Sequence, residues 1–284
     1  MLLKDLRTIF DDALVSTYGL EETRSFFSLL TDHYFGFSKF ILAIAPDTSL
    51  NEHQAATMLQ ALKELKQQKP IQHIIGHTYF MDLKFSVNQH TLIPRPETEE
   101  LVRWVLDDYT SRSIKNLTVL DIGTGSGCIA ISLAKYLKNA ALCAIDISSD
   151  ALDVAVSNGQ LNTVKVSFSK QDIFTSKLDS KYDVIVSNPP YVRNLEKREM
   201  ATNVLDFEPA LALFVSDADP LLYYKAIAEF ANRNLNKKGS LYLEINQYLG
   251  YDTQALLKNM GFVSVEMRKD MFGNDRMIKA IIGN

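Results

Sequence analysis

The chain has 284 residues, of which 46% are hydrophobic and 23% charged, and its formal net charge is −4. This composition is typical of a globular protein with a buried core, in one large or two smaller domains, and it excludes a disordered or fibrous chain. The mildly acidic balance disfavours a protein whose main task is to hold a long stretch of nucleic acid, because such proteins are usually basic.

Targeting and metal-binding signals are not apparent in the sequence. The first residues, MLLKDLRTIFDDALV, carry acids where a signal peptide has its apolar core, and no apolar run reaches the length of a membrane span. Cys128 and Cys143 lie in apolar stretches, which predicts small core residues rather than a disulfide framework or a metal site. We therefore expect a cytoplasmic protein that holds no metal and does not bind a membrane.

The first 70 residues or so are helical in pattern. The segments LLKDLRTIFDDAL, TRSFFSLLTDHYF and EHQAATMLQALKELKQQK place apolar residues at three- and four-residue spacings. Asn51 follows a break at residues 46–49 and is a predicted helix N-cap. Residues 1–70 are predicted to form a small helical bundle.

Residues 71–92 change in character. The run TYFMDLKFSVNQHTLI nearly alternates aromatic or β-branched residues with polar ones, between Gly76 and Pro94. Such alternation predicts a β-hairpin. We interpret residues 71–92 as a linker between two domains.

Residues 93–284 predict a doubly wound, Rossmann-like α/β domain. Short apolar runs alternate with helical segments, which favours a parallel sheet covered on both faces and ordered 3-2-1-4-5. The five runs are LTVLDI, ALCAIDI, VKVSF, YDVIVS and SLYLEI. Two further runs, FVSVEMR and RMIKAII, are joined by a turn containing Gly273 and predict a C-terminal antiparallel hairpin.

A glycine-rich loop follows the first predicted strand of this domain, in the stretch LDIGTGSGCIAISLA. Glycines allow a tight turn and a close ligand approach, and the helix that follows offers free N–H groups. The loop predicts a cofactor site lined by Gly123, Thr124, Gly125, Ser126 and Gly127.

The spacing and the acids near this loop distinguish between cofactors. The second strand ends at Asp146, a position suited to ribose hydroxyls, and both NAD and S-adenosylmethionine carry such a ribose. The spacing G-x-G-x-G and the preceding Asp121 favour S-adenosylmethionine, because a strand-end acid suits a cationic ligand better than a diphosphate. After the third strand, Asp172 is predicted to meet an adenine amine and Phe174 to cover the ring, although plain core packing also explains Phe174.

The fourth strand ends in NPPY, Asn188 to Tyr191, across the sheet switch point from the glycine loop. Asn188 offers an amide oxygen, Pro189 and Pro190 lack an N–H and stiffen the turn, and Tyr191 offers a flat ring with a polar tip. The Asn188 side-chain oxygen and the Pro189 carbonyl are predicted to accept hydrogen bonds from a planar NH₂ group and to aim its nitrogen at a methyl donor.

Together, GTGSG, Asp146 and NPPY resemble the class I S-adenosylmethionine-dependent amino-methyltransferases, which act on DNA, rRNA or protein glutamine. The stretch QHIIGHTYFMDLKFSVNQHTLIPRPETEELVRWVL resembles more narrowly the release factor glutamine methyltransferases. The resemblance covers nearly the whole chain. It is strongest between Pro70 and Tyr191.

This resemblance implies a helical N-terminal domain that contacts the partner, a hairpin linker and a C-terminal methyltransferase domain. It implies methylation of the amide nitrogen, N5, of the glutamine in the GGQ motif of class I peptide release factors. Carried over by position, the GTGSG loop, Asp146, Asp172, Phe174 and Asn188 would bind the cofactor. Asn188, Pro189, Pro190 and Tyr191 would bind the glutamine.

Arg95, Glu97 and Thr98 lie within the family signature, and both a structural N-cap role and cofactor contact remain open for them. The chain departs from the family pattern at Asp219-Pro220-Leu221 and at Glu244-Ile245-Asn246. Both departures lie outside the motifs expected to carry chemistry, so we expect them to affect only local loop shape.

Two alternatives remain. A DNA or RNA amino-methyltransferase of the N6-adenine type would use the same NPPY site, but it would need a basic target-recognition region and base flipping. An interaction module that has lost activity is the non-enzymatic alternative, and the intact GTGSG and NPPY motifs disfavour it.

Overall fold

The computed structural model describes residues 1–110 and 116–283, so only the last residue of the predicted 93–284 domain and a short stretch within it lie outside the described chain. The helices are α1 Leu3–Tyr18, α2 Leu20–Phe35, α3 Ile41–Ile44, α4 Glu52–Lys66, α5 Ile71–Ile75, α6 Pro96–Thr110, α7 Cys128–Tyr136, α8 Ser149–Leu161, α9 Thr202–Phe207, α10 Ala210–Leu213, α11 Leu222–Asn234 and α12 Gly250–Asn259. A 3₁₀ helix spans Asn194–Glu199. The strands are β1 His77–Phe80, β2 Leu83–Ser86, β3 Thr118–Ile122, β4 Ala141–Asp146, β5 Ser167–Lys170, β6 Tyr182–Ser187, β7 Val192–Arg193, β8 Phe214–Val215, β9 Leu235–Glu244, β10 Phe262–Lys269 and β11 Asp275–Ile282.

The chain divides into two compact units. The N-terminal unit consists of Met1–Gly76 together with Ala201–Phe207, and the sheet unit consists of residues 77–200 together with the chain from Glu208 onward. A short segment that includes α9 thus belongs to the N-terminal unit, although it lies between two parts of the sheet unit in the sequence. Among the described residues, no helix combines the length and apolar character needed to cross a membrane.

The N-terminal unit is helical and has its own apolar core. Residues at three- and four-residue spacings on α1, including Leu3, Leu6 and Phe10, are fully buried and pack with residues of α2 and α4. The predicted N-cap is confirmed: the Asn51 side chain accepts from the Gln54 N–H at 2.9 Å, and the Gln54 side chain accepts from the Asn51 N–H at 3.0 Å. This reciprocal pair is a capping box that fixes the start of α4.

The sheet unit is built on a seven-stranded sheet with the order β10-β11-β9-β6-β3-β4-β5. The five strands from β9 to β5 are parallel, while β10 and β11 form an antiparallel hairpin that pairs with β9 through β11. The predicted doubly wound order and the predicted C-terminal hairpin are both confirmed. Because β3 lies at the switch point, ligands are expected beyond the carboxyl ends of β3 and its neighbours.

Both faces of this sheet are covered by helices. On β6, Val184 and Val186 pack into one layer with Trp104 of α6, while Ile185 faces the other layer with Tyr224 of α11. Successive strand residues point to opposite faces, which explains why the central strands read as unbroken apolar runs.

The predicted hairpin is present as β1 and β2, joined at Met81 and Asp82, which both have positive φ. Such a two-residue turn matches the twist of the strands it joins. The hairpin is fixed to α8 within the sheet unit, because the Asn158 amide accepts from the Ser86 N–H at 2.7 Å and donates to its carbonyl at 3.0 Å.

Candidate active site

The glycine loop starts where β3 ends, and its backbone turns through glycines with positive φ, namely Gly123 at 71°, Gly125 at 53° and Gly127 at 82°. The N–H groups of Gly123 and Thr124 both donate to the Ile145 carbonyl, at 2.9 and 3.0 Å. These bonds tie the loop to the end of β4. Only glycine adopts such a run of left-handed conformations without strain.

Asp146, the last residue of β4, joins two turns. Its Oδ2 accepts from the Gly125 N–H at 2.8 Å, and its Oδ1 accepts from the Ser148 N–H at 2.9 Å. Each carboxylate oxygen can accept a further hydrogen bond, and the residue lines the cavity beyond the sheet. Asp146 is thus held rigidly with acceptor capacity left for a ligand.

Asp121 lies at the base of the loop and is fully buried. Its Oδ2 accepts from the Thr124 hydroxyl at 2.6 Å, while its Oδ1 has no partner among the described residues. Burial raises the pKa of Asp121 to about 7, although the bonds from Thr124 and the Ala130 N–H act in the opposite direction. The hydrogen of the Thr124 hydroxyl is therefore already donated to Asp121 and is not free to bond a ligand.

Gly127 lies outside the cavity lining although the sequence predicts it as a cofactor residue. An added Cβ there would lie 2.8 Å from Ile131 Cδ1 and 3.2 Å from Ala155 Cβ. Its missing side chain thus allows the start of α7 to pack closely against the middle of α8, at Ala155. Close helix packing therefore explains why the third position of the motif is a glycine, without any contact to a ligand.

Replacing Gly127 with alanine should destabilise the protein by about 2 kcal/mol or more, because overpacking adds to left-handed strain. Gly123→Ala is the matched control: its φ is 71°, but no atom lies within 4 Å of an added Cβ. Gly123→Ala should lower the free energy of unfolding by about 1 kcal/mol. Denaturant unfolding of the two variants without ligand measures the difference, and equal losses would refute the packing role.

The aromatic end of the cavity is formed after β5. Phe174 is 47% exposed and its ring lies 5.3 Å from that of Tyr223, at 53°. The Phe174 N–H donates to Asp172 Oδ1 at 2.9 Å, which turns the segment. All three residues line the cavity. The exposure of Phe174 argues against plain core packing, the alternative left open by the sequence.

NPPY follows β6, and β6 and β3 pair in register with Ser187 opposite Ile122. The Asn188 Nδ2 donates to Thr98 Oγ1 at 3.2 Å. Among the described residues, nothing donates to Asn188 Oδ1 or to the Pro189 carbonyl. Asn188, Pro189 and Pro190 line the same cavity as the glycine loop. Two unused carbonyl acceptors therefore lie directly after β6, the strand that pairs with β3 beside that loop.

Tyr191, the last residue of NPPY, does not line this cavity. Its hydroxyl donates to Glu244 Oε1 at 3.0 Å, while Glu244 Oε2 accepts from the Thr98 hydroxyl at 2.6 Å. Burial raises the pKa of Tyr191 well above its ordinary value, and the charge of Glu244 adds to the effect. Burial also raises the pKa of Glu244, against the bonds from Thr98 and Tyr191.

In the departure at residues 244–246, only Asn246 differs from the family pattern, and its side chain bonds to the segment that follows NPPY. Besides the Glu244 bonds, the Asn246 side chain donates to the Tyr191 carbonyl at 3.0 Å and to Glu196 at 2.8 Å. Where the family often has glycine, this chain has an amide that fixes the backbone after NPPY.

The three signature residues have different surroundings in the structure, and they are Arg95, Glu97 and Thr98. Arg95 pairs with Glu208 at 2.5 Å, and the Glu208 side chain is almost fully buried. Arg95 and Thr98 line the cavity, whereas Glu97 does not. The Thr98 side chain points to Glu244 rather than capping α6.

The structure brings most of the predicted site residues to one cavity, and it adds several that sequence reasoning missed. The predicted residues that line it are Gly123, Thr124, Gly125, Ser126, Asp146, Asp172, Phe174, Asn188, Pro189 and Pro190. The missed residues include Thr91, Leu92, Pro94, Ile147, Ile173, Pro209, Leu211, Tyr223 and Ile227. Those on the strand-end segments could have been found from position, but Tyr223 and Leu211 come from distant helices and carry no local signal.

The lining fits S-adenosylmethionine better than a dinucleotide. Asp146 and Asp172 face the cavity, and Asp121 lies at the base of its loop with an oxygen left without a partner among the described residues. The carboxylates of Asp146 and Asp172 would repel a diphosphate and attract a cofactor with ammonium and sulfonium groups. Within residues 1–110 and 116–283, no three His, Cys, Asp or Glu side chains are grouped to hold a metal ion. The fold and the site together define a class I methyltransferase.

Comparisons with known proteins narrow this class. Residues 104–211 match the model of the methyltransferase small domain, and residues 12–76 match that of the PrmC N-terminal domain. The chain is 51% identical to the release factor glutamine methyltransferase of Flavobacterium psychrophilum, over 98% of this chain and 99% of that protein. It is 40% identical to that of Bacteroides thetaiotaomicron, over 94% and 96% of the two chains. The chain belongs to the release factor glutamine methyltransferase family.

A solved methyltransferase structure from Pyrococcus furiosus shares the fold, with a TM-score of 0.54 and 18% identity. It covers 82% of this chain and 100% of that chain. At this identity the likeness supports the fold alone.

Proposed function

We propose that this protein transfers a methyl group from S-adenosylmethionine to the side-chain amide nitrogen, N5, of the glutamine in the GGQ motif of class I peptide release factors. The observation that carries the proposal is the pair of unused acceptors, Asn188 Oδ1 and the Pro189 carbonyl, in the cavity that the glycine loop also lines. A glutamine amide is planar and carries two N–H bonds, which match two carbonyl acceptors. The names of the relatives support the same substrate.

The residues of the cavity divide into two groups in this proposal. Gly123, Thr124, Gly125, Ser126 and Asp146 hold the methionine and ribose parts of the cofactor, and Asp172 and Phe174 hold the adenine. Gly127 lies outside the cavity lining, so in this proposal it does not contact the cofactor and instead allows the close packing against Ala155. When bound, the cofactor supplies a methyl group activated by its sulfonium sulfur.

Asn188 and Pro189 act on the substrate nitrogen. An amide nitrogen is a weak nucleophile because its lone pair is delocalised, so orientation supplies much of the rate. The two carbonyl oxygens also stabilise the positive charge that develops on the nitrogen as it takes the methyl group, and the nitrogen then loses one proton to solvent. Tyr191 acts by fixing the turn through Glu244 rather than through the cavity. We propose that no metal takes part, since the methyl donor is already activated.

The same acceptors could hold the NH₂ of a base, so the substrate is tested directly. Purified protein is given cofactor labelled in its methyl group, together with a release factor, the same factor with its GGQ glutamine replaced by alanine, or duplex DNA and rRNA. We expect label only in the unaltered release factor. Label only in nucleic acid would refute the proposal.

The N-terminal unit is proposed to contact the release factor. Apolar side chains on the surface of a helical unit are candidates for a protein interface. Phe40, directly before α3, and Ile44, the last residue of α3, are 57% and 75% exposed. We propose a cytoplasmic location, where translation terminates, and no direct contact with nucleic acid.

Replacing Phe40 and Ile44 together with serine should raise the KM for the release factor by about tenfold, because apolar anchors carry much of a protein interface. The turnover number and the cofactor affinity should not change. Leu59→Ser is the matched control, since this leucine of α4 is 39% exposed and lies away from α3 in the chain. Steady-state kinetics with varied release factor measure the effect, and an unchanged KM in the double variant would contradict the proposed contact.

A further inference from the structure

The amide of Asn188 can do its proposed work in only one of two orientations. The two ends of an asparagine amide have nearly the same shape, but only the carbonyl end accepts a hydrogen bond. If the amide were turned over, its own NH₂ would face the substrate NH₂. Some feature of the protein must therefore fix which end faces the cavity.

Thr98 lies at the other end of this amide. The residue is buried, its hydroxyl donates to Glu244 Oε2 at 2.6 Å, and its oxygen accepts from Asn188 Nδ2 at 3.2 Å. A hydroxyl has one hydrogen, so once that hydrogen points at Glu244 only lone pairs face Asn188. A turned amide would place Oδ1 against the Thr98 oxygen, with two acceptors facing each other.

Glu244 fixes the direction of the Thr98 hydroxyl. It is buried at the end of β9, and its second oxygen accepts from the Tyr191 hydroxyl at 3.0 Å. Arg276 Nη1 donates to the Tyr191 hydroxyl oxygen at 3.4 Å, and Arg276 Nε donates to Asp270 Oδ2 at 3.0 Å. Both oxygens of Glu244 thus face hydroxyl donors, which holds the group as an acceptor.

We propose that Thr98 and Glu244 are positioning residues that set the orientation of the Asn188 amide and so present its carbonyl oxygen to the substrate NH₂. This inference rests on the proposed function, because it assigns a task to Asn188. It predicts that Thr98 affects the turnover number and not the affinity for the cofactor, even though Thr98 lines the same cavity.

The test compares Thr98→Val, which keeps the shape and removes the hydroxyl, with Thr98→Ser, which keeps the hydroxyl. We expect the valine variant to lose about 10-fold to 100-fold in kcat, with the Kd for S-adenosylmethionine within about threefold of wild type. The serine variant should stay within about fivefold of the wild-type kcat, because its hydroxyl can make both bonds. Thermal unfolding of both variants controls for folding.

A double variant separates positioning from a structural role. If Thr98 acts through Asn188, Thr98→Val should cost less than about twofold in kcat once Asn188→Ala is present, since interacting residues are not additive. Wild-type kcat in Thr98→Val, an equal loss in the serine variant, full additivity with Asn188→Ala, or a matching loss of cofactor affinity would each overturn the inference. If the wild-type protein itself transfers no methyl group to a release factor, the proposed function fails instead, so the two failures are distinct.

Discussion

Replacing Asn188 with alanine should reduce the turnover number by about 100-fold to 1,000-fold, while the Kd for S-adenosylmethionine stays within about threefold of wild type. The alanine removes the Oδ1 acceptor and leaves the glycine loop and Asp146 untouched. The loss should appear in kcat, because the acceptor bonds strengthen as charge develops on the amide nitrogen. Single-turnover kinetics with saturating release factor measure the step directly.

The chain offers a matched control on the neighbouring strand β9, near the amino-terminal end of β6 rather than the end that NPPY follows. Asn236 is another hydrogen-bonded asparagine, and its Nδ2 donates to Asp183 Oδ1 at 2.8 Å near the start of β6. Asn236→Ala should leave kcat within about twofold of wild type, because Asn236 does not line the cavity and its bond affects stability more than chemistry. Equal turnover in Asn188→Ala and wild type would remove the acceptor role proposed for NPPY.

Replacing Asp146 with alanine should have the opposite kinetic signature, with the Kd for S-adenosylmethionine raised by about 30-fold to 100-fold. Hydrogen bonds to a charged group contribute about 1.5–3 kcal/mol each, and the variant also loses the bond that holds the Gly125 N–H. Turnover at saturating cofactor should fall by less than about fivefold, because the acceptors on the substrate side remain. Calorimetric titration of the cofactor measures the affinity.

Asp150 provides the control for charge. It lies four residues after Asp146, in the first turn of α8, its side chain is 65% exposed, and it does not line the cavity. Asp150→Ala removes the same charge and should change the cofactor Kd by less than about twofold, since exposed charges are well screened. A similar loss in both variants would show that net charge near the loop matters, rather than the Asp146 carboxylate.

The sheet order and the position of the cavity could be predicted from the sequence because both follow from local patterns. Unbroken apolar runs such as YDVIVS indicate strands buried on both faces, and alternating helices restrict them to a parallel sheet. The strand ends then meet at one edge, which is why the glycine loop and NPPY line one cavity. Even so, β5 begins at Ser167 rather than at Val164, because an edge strand is only weakly specified by its pattern.

The side-chain network behind NPPY could not be predicted, because its partners are far apart in the sequence. Thr98 and Glu244 are 146 residues apart, and Tyr191 and Glu244 are 53 apart. No spacing rule connects such positions. For the same reason the sequence assigned Tyr191 to the substrate site and Gly127 to the cofactor, whereas the structure has Tyr191 bonded to Glu244 and Gly127 packed against Ile131 and Ala155.

Mass spectrometry of a release factor after incubation with this protein and S-adenosylmethionine tests the central claim most directly. Fragmentation of the peptide that carries the GGQ motif should show one added methyl group on the side chain of the glutamine. The same peptide from a reaction with Asn188→Ala should remain unmodified over the same time. A methyl group on another residue, or none on the release factor while nucleic acid becomes methylated, would contradict the account.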